Sequence, residues 1–279
     1  MEQAWRHAVS VNVRSRRGRR PSGRGVAGVR ALVRGLSILE CLAGERELSL
    51  TQLASRLQLP GSTTYRLLET LKARGFVAQS PETGLYRLGI RAFEVGGAFL
   101  ARWRLHELAL PAMRALSADV GETVNLAVAD GREAVYVGQV EGPQLVRMFT
   151  QIGARTPLYC TGVGKALLAW RSEQEVRQLF DGVALRPYTP NTLTSLEALL
   201  GELARVRAQG YAVDREEREL GVRCVAAPVR DRSGQVVAAI SVSAPPARLS
   251  DARIPEVARR VMAGAGEISV GLGFRAAPL

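Results

Sequence analysis

The strongest constraint on this chain is a run of three short amphipathic repeats, each closed by its own stop signal, between Val29 and Gly75. Leu32, Leu36, Leu39 and Leu42, with Ile38, recur at three- and four-residue steps and predict a first helix ended by Gly44. Ser49, three residues ahead of Gln52, predicts a capped start for a second helix whose buried stripe is Leu50, Leu53, Ala54 and Leu57. Leu59-Pro60-Gly61 breaks the chain. Pro60 fits the first turn of a third helix, where its missing N–H costs nothing, and Tyr65, Leu67, Leu68 and Leu71 carry that helix to Gly75. Phe76–Gln79 and Leu85–Leu88, around the turn-rich Ser80–Gly84, read as strand, loop and strand. Two helices about a tight break, followed by a hairpin, predict a winged helix-turn-helix.

In that arrangement the start of the second helix of the pair enters the major groove of DNA. Ser62, Thr63, Thr64, Tyr65 and Arg66 occupy this start. Their hydroxyls and guanidinium can reach base edges and phosphates, and the helix terminus adds partial positive charge. Leu67, Leu68 and Leu71 are expected to pack inward. Arg87 in the wing is a weaker candidate for a phosphate contact. The net charge of +12 agrees with a polyanionic partner, although residues 1–30 hold eight arginines against Glu2 alone. That arm, rich in Ser, Gly, Pro and Arg without apolar periodicity, is expected to be a disordered basic tail over residues 1–28.

From Ile90 one helix is expected to continue through Trp103 and Leu105 to a stop near Pro111. Phe93, Gly96, Gly97 and Leu100 share one of its faces, which suits either self-association or packing on its own domain. After Gly121 the apolar period changes from helical to alternating. Thr123–Val128 and Ala134–Gly138 read as strands around Asp130-Gly131, and Leu145–Thr150 as another. Helices are expected over Gly162–Trp170, Ser195–Gln209 and Ser250–Leu272, and strands over Val222–Val229 and Gln235–Ser243. This mixture predicts an α+β domain with a mainly antiparallel sheet. Thr161-Gly162-Val163 open a helix there, where free N–H groups suit a carboxylate and glycine lets a ligand approach the backbone. Lys165, two positions further, is expected to face solvent. Asp214 has three readings: it accepts from a ligand hydroxyl, braces a pocket loop, or caps a turn after Gly210-Tyr211.

Several classes are disfavoured. Three cysteines, Cys41, Cys160 and Cys224, without C-x-x-C spacing argue against a disulfide framework and a structural zinc site, so no metal is expected. Only His7 and His106 are present, which leaves hydrolases built on a histidine base little to work with. Gly162-Val163-Gly164-Lys165-Ala166 has Tyr159 where a phosphate loop needs its first glycine, and Ala166 lacks the hydroxyl for magnesium. Gly271-Leu272-Gly273 sits at the chain's end, without the following helix a dinucleotide fingerprint requires. No apolar run approaches the roughly 18 residues that cross a bilayer, and the first residues lack the apolar stretch of a signal peptide. A cytoplasmic protein without membrane contact and without cofactor is expected.

Specific segments go further. Arg34-Gly35-Leu36-Ser37-Ile38-Leu39, Leu50–Leu57, Leu59-Pro60, Ser62-Thr63, Arg66-Leu67-Leu68 and Tyr86-Arg87-Leu88-Gly89 resemble the head of the IclR family of bacterial transcriptional regulators. Gly121–Leu126, Cys160–Ala169, Gly210–Asp214 with Glu216-Glu217, Ala226–Val229 and Ser241-Val242-Ser243 resemble that family's C-terminal sensor. The resemblance implies a winged head over 29–90, a linker and dimerisation helix over 91–110, and a GAF-like effector-binding domain over 111–279. By the same resemblance Arg34 approaches DNA beside the recognition helix, and Cys224, Ser241 and Ser243 face the cavity of Thr161, Gly162, Val163 and Asp214. Strand period two puts the two serines on one side.

The implied protein is a homodimer or tetramer, repressor or activator, on a double-stranded, roughly palindromic operator. Its operator affinity would follow a small metabolite, expected to be an organic acid. Departures from the family pattern, Gly61 after the turn's proline and Thr64-Tyr65 for the commoner valine and histidine, leave the operator sequence open. The competing reading is an enzyme that turns its ligand over.

Overall fold

The computed structural model describes residues 29–145 and 150–275, with the side chains of 99–103 outside the description. The basic tail over 1–28 and most of the strand expected over Leu145–Thr150 therefore lie outside the described residues. The chain divides into two compact units, Met1–Ala98 and Phe99–Leu279.

The first unit holds α1 (Arg30–Ala43), α2 (Leu50–Leu57), α3 (Gly61–Ala73), β1 (Val77–Gln79) and β2 (Tyr86–Leu88), and the start of α4 (Ile90–Trp103). The expected capping box at α2 is complete: the Gln52 amide donates to Ser49 Oγ at 3.2 Å and the Ser49 amide to Gln52 Oε1 at 2.8 Å. β1 and β2 pair antiparallel, and Leu48 exchanges backbone hydrogen bonds with Tyr86, which ties the hairpin to the turn before α2. Ile38, Leu42, Leu48, Leu53, Leu68, Val77 and Tyr86 form the core.

Leu32 and Leu36 do not join that core. α1 turns Gly35, Ile38 and Leu42 inward, and Leu32 and Leu36 lie 61% and 50% exposed beside exposed Val29 and Val33. The four sit at i, i+3, i+4 and i+7, so α1 and the residue that precedes it carry a second apolar stripe that the described residues leave uncovered.

The single helix expected from Ile90 to Leu110 is two. Arg104, at φ 44°, interrupts it, and α5 runs Leu105–Val120 with Pro111 inside rather than at its end. Burial decides this outcome: Leu105, Ala109, Ala112, Met113, Leu116 and Val120 all pack into the second unit's core, which outweighs one lost helical hydrogen bond.

In the second unit, β3 (Thr123–Asp130), β4 (Glu133–Val140), β5 (Arg155–Pro157), β6 (Ala212–Arg215), β7 (Arg223–Arg230) and β8 (Val236–Ala244) form a sheet of order β5-β4-β3-β8-β7-β6, every pairing antiparallel. Helices α6 (Gly162–Leu168), α7 (Glu173–Phe180), α8 (Leu196–Gln209) and α9 (Ile254–Gly271) complete it. Val225, Ile240 and Val242 alternate onto the face covered by α5 and α9, while Ala226 and Ala239 face the layer of α6, α7 and α8. β5, β6 and α7 are elements that sequence periodicity missed. α9 begins four residues later than expected because Pro255 sets its first turn.

Candidate functional site

On the head, Ser62, Tyr65 and Arg66 are exposed along the first turns of α3 and Thr63 is half-buried. Thr64 corrects the expectation. It is fully buried, its hydroxyl donates to the Pro60 carbonyl at 3.1 Å, and it belongs to the packed face of α3 with Leu68. Four residues apart on a helix share a side, so a groove contact from Thr63 or Arg66 leaves Thr64 inward. Arg34 on α1 and Arg87 on β2 are exposed, and neither they nor Arg66 form an ion pair among the described residues. By contrast Lys72 is paired to Glu69 and Arg56 to Glu45. The unpaired arginines and the free amides at the start of α3 are what a phosphate backbone would meet.

In the second unit, a cavity of about 190 Å³ lies where the start of α6 meets the sheet, lined by Thr161, Gly162, Val163, Asp214, Cys224 and Ser241. Strand register explains the convergence. Cys224 pairs with Asp214 on β6 and with Ser243 on β8, and Ala226 with Ser241, so these side chains share the α6 face. Ser243 is the one expected residue outside the lining. Its hydroxyl accepts from Asn125 Nδ2 at 3.3 Å and lies 3.0 Å from Cys224 Sγ, behind the wall.

Each polar group has a distinct state. The Thr161 hydroxyl caps α6, accepting from the Gly164 amide at 3.2 Å and donating to the Pro157 carbonyl at 2.9 Å. The Ser241 hydroxyl has no partner among the described residues. Asp214 accepts the Glu217 amide at 2.7 Å, which braces the loop after β6, and it also lines the cavity; burial beside Glu217 pushes its carboxyl up to about 7. Burial pushes the Cys160 and Cys224 thiols up to about 12, leaving them poor thiolates and poor nucleophiles.

The glycines of α6 serve packing. A Cβ on Gly162 would stand 3.2 Å from the Cys224 Cβ, and one on Gly164 would lie 2.2 Å from the Leu158 carbonyl oxygen. Gly162 thus lets the helix settle on β7 and also lines the cavity.

Lys165 corrects a second expectation. It is 1% exposed, its ammonium donating to the Val213 carbonyl at 2.5 Å and ion-paired with Glu217 and Glu202. A helix whose neighbours are apolar on every side is buried all round, and this was the available signal.

Tyr136, Thr150 and Arg218 also line the cavity and were not foreseen. Alternation along β4 from Ala134 could have found Tyr136. The Thr150 hydroxyl is buried and has no hydrogen-bond partner among the described residues. Among the described residues no cluster could hold a metal ion, and no helix is long and apolar enough to cross a membrane.

Comparison with known proteins follows the same division. Residues 31–81 match the IclR helix-turn-helix domain and 97–270 match the bacterial transcriptional regulator IclR C-terminal domain. The chain is 41% identical over 250 residues to the HTH-type transcriptional regulator KdgR of Escherichia coli, covering 90% of this chain and 95% of that relative. The crystal structure of the Thermotoga maritima IclR superposes with a TM-score of 0.75 at 33% identity, over 88% of this chain and all of that one. An IclR homolog from Microbacterium hydrocarbonoxydans, solved as a complex with 4-hydroxybenzoate, gives a TM-score of 0.77 at 26% identity, over 87% and 98% of the two chains.

Proposed function

The chain belongs to the IclR family of bacterial transcriptional regulators, and from that premise we propose that a small organic acid in the cavity beside α6 controls how tightly the head holds its operator. The coarse function is that of the family: a DNA-binding regulator with an effector-binding C-terminal domain, and not an enzyme.

The observation that carries the finer reading is the convergence of Thr161, Gly162, Val163, Asp214, Cys224 and Ser241 on one cavity of about 190 Å³. Drug-sized ligands occupy roughly 300–1,000 Å³, so the space favours an acid of few carbon atoms. The amides that open α6 and the unpartnered hydroxyls of Ser241 and Thr150 are suited to its oxygens. That an IclR homolog was solved with 4-hydroxybenzoate, itself a carboxylate, supports the same class.

On this reading Ser62, Thr63, Tyr65 and Arg66 meet the major groove, with Arg34 and Arg87 on flanking phosphates. The head of 29–90 and the effector domain from 111 onward, joined by 91–110, divide the two tasks, and the protein works in the cytoplasm where its operator is. The exposed stripe of Val29, Leu32, Val33 and Leu36, with exposed Ile90 and Phe93 on α4, supports a homodimer or tetramer. Each such side chain gains about 1.5–3 kcal/mol when fully covered. Two-fold symmetry then calls for a palindromic operator.

A ligand moves this equilibrium only through unequal affinity for two arrangements of the head; a tenfold change in operator affinity needs about 1.4 kcal/mol. The test is a binding titration of purified protein on DNA from the flanking intergenic regions, with and without small organic acids. An acid that shifts operator affinity and is recovered unchanged is expected. Turnover of the acid, or operator affinity indifferent to every acid that binds, would overturn the reading.

A further inference from the structure

Two arginines line the cavity beside α6, and they are in different states. Arg155 is neutralised by Asp130 and by Glu133, the latter at 3.2 Å. Arg218 is exposed, and among the described residues it forms no ion pair, including with Glu219 beside it at the same mouth. Its guanidinium carbon stands 4.1 Å from the centre of the Tyr188 ring. Over the ring at that distance, the guanidinium keeps N–H donors that no acceptor among the described residues takes, and such donors can hold a carboxylate through two parallel hydrogen bonds.

The platform under Arg218 is built in advance. The Tyr188 amide donates to Thr192 Oγ1 at 3.0 Å, and the hydroxyls of Thr189 and Thr192 donate to the carbonyls of Glu216 and Glu217, each at 2.6 Å. The loop that carries the ring is thereby stitched to the loop that carries the cation. From the cavity side the Asp214 carboxylate holds the Glu217 amide at 2.7 Å. The charge is also felt inside the cavity, where Arg218 partly offsets the burial that pushes the Tyr136 phenol and the Cys160 thiol up.

We propose that Arg218, stacked on Tyr188, receives the carboxylate of the ligand and makes the cavity select acids over their neutral counterparts. This rests on the organic-acid reading of the cavity given above. Preorganisation on the ring reduces the side-chain freedom lost on binding, and an exposed unpaired cation also draws anions in from solution.

The test uses the full chain and a panel of two- to eight-carbon monocarboxylates with their matching primary amides, followed by calorimetry. Wild type is expected to bind at least one acid tenfold or more tighter than its amide. Arg218→Gln should weaken that acid tenfold or more, leave the amide unchanged and so remove the preference, and Arg218→Glu should abolish acid binding. If either variant, folded as judged by circular dichroism, keeps the wild-type preference, the role of Arg218 is overturned while the cavity reading stands. If wild type binds amides as well as acids, or no acid at all, the organic-acid reading fails and this proposal with it.

Discussion

The ammonium of Lys165 is ion-paired with Glu217 in the buried layer between α6 and the sheet, and Glu202 Oε1 and the Val213 carbonyl complete its shell at 3.3 and 2.5 Å. Three acceptors offset the desolvation of one buried cation, and removing the cation leaves Glu217 buried with uncompensated charge. Lys165→Met should therefore cost about 3 to 5 kcal/mol of stability, seen as a lower urea midpoint. Replacing both partners, Lys165→Met with Glu217→Leu, should recover most of that loss. A single variant that unfolds at the wild-type midpoint would show that the pair carries no such burden.

Asp214 makes stability depend on pH. Its carboxyl is raised from an ordinary 3.8 to about 7 by burial and by Glu217, with Lys165 acting the other way. A folded-state value above the unfolded one means that the contribution is fully present below pH 3.8 and is lost as pH rises through about 7. A tenfold difference in proton affinity between the folded and unfolded chain is worth roughly 1.4 kcal/mol, so the effect amounts to a few kcal/mol. Asp214→Asn keeps an acceptor for the Glu217 amide without a titrating group. Urea unfolding between pH 5 and 8 should show wild type losing stability relative to this variant; parallel curves would contradict the assignment.

A carboxylate ligand should feel the same group. Entering beside ionised Asp214 it meets like charge, so its affinity should fall as pH rises through about 7, and binding there should take up protons. Calorimetry at pH 7 in two buffers of different ionisation enthalpy measures that uptake, and identical heats would argue against it.

Thr64 and Arg66 separate folding from recognition. Thr64→Val removes a buried hydroxyl that satisfies the Pro60 carbonyl and should cost about 1 kcal/mol of stability with operator affinity unchanged. Arg66→Ala, at an exposed position, should leave the melting temperature in place and weaken operator binding by about 1–3 kcal/mol if it reads a base. If it touches only phosphate, the salt dependence of binding should flatten by about one in log–log slope instead. Equal operator loss in both variants would reverse the inside and outside of α3.

The missing side chain of Gly164 lets α6 sit directly against the 3-10 turn Leu158–Cys160. A methyl group there would overlap the backbone at Leu158, which has no flexible end to yield. Gly164→Ala is expected to cost about 1–3 kcal/mol or more by overpacking. Gly201→Ala, on α8 with open space around the added carbon, should be neutral or slightly stabilising. Comparable melting temperatures for the two variants would exclude the clash.

How much of this was readable from the chain differs by feature. The capping box at Ser49 and Gln52 and the β3 and β4 hairpin follow from local chemistry that needs nothing distant, and both form where expected. Six of seven expected cavity residues meet because strand alternation and resemblance pointed to one face. Thr64 was misplaced although it sits one turn before Leu68, a spacing that carried the answer. Arg104 was unreadable, since nothing about arginine announces a left-handed backbone. β5 and β6, of three and four residues, are too short to show a period. Arg218 is drawn to the cavity by Tyr188 and two threonines some thirty residues back, a tertiary arrangement invisible to any local window.

The strand order carries a last consequence. β5 and β6 are the outermost strands, and one ends in Pro157 while the other ends in Arg215. Brief edges marked by proline and by a charged side chain give a stray polypeptide little unpaired backbone to template on. Growth of the domain by strand addition is thereby disfavoured at both edges of the sheet.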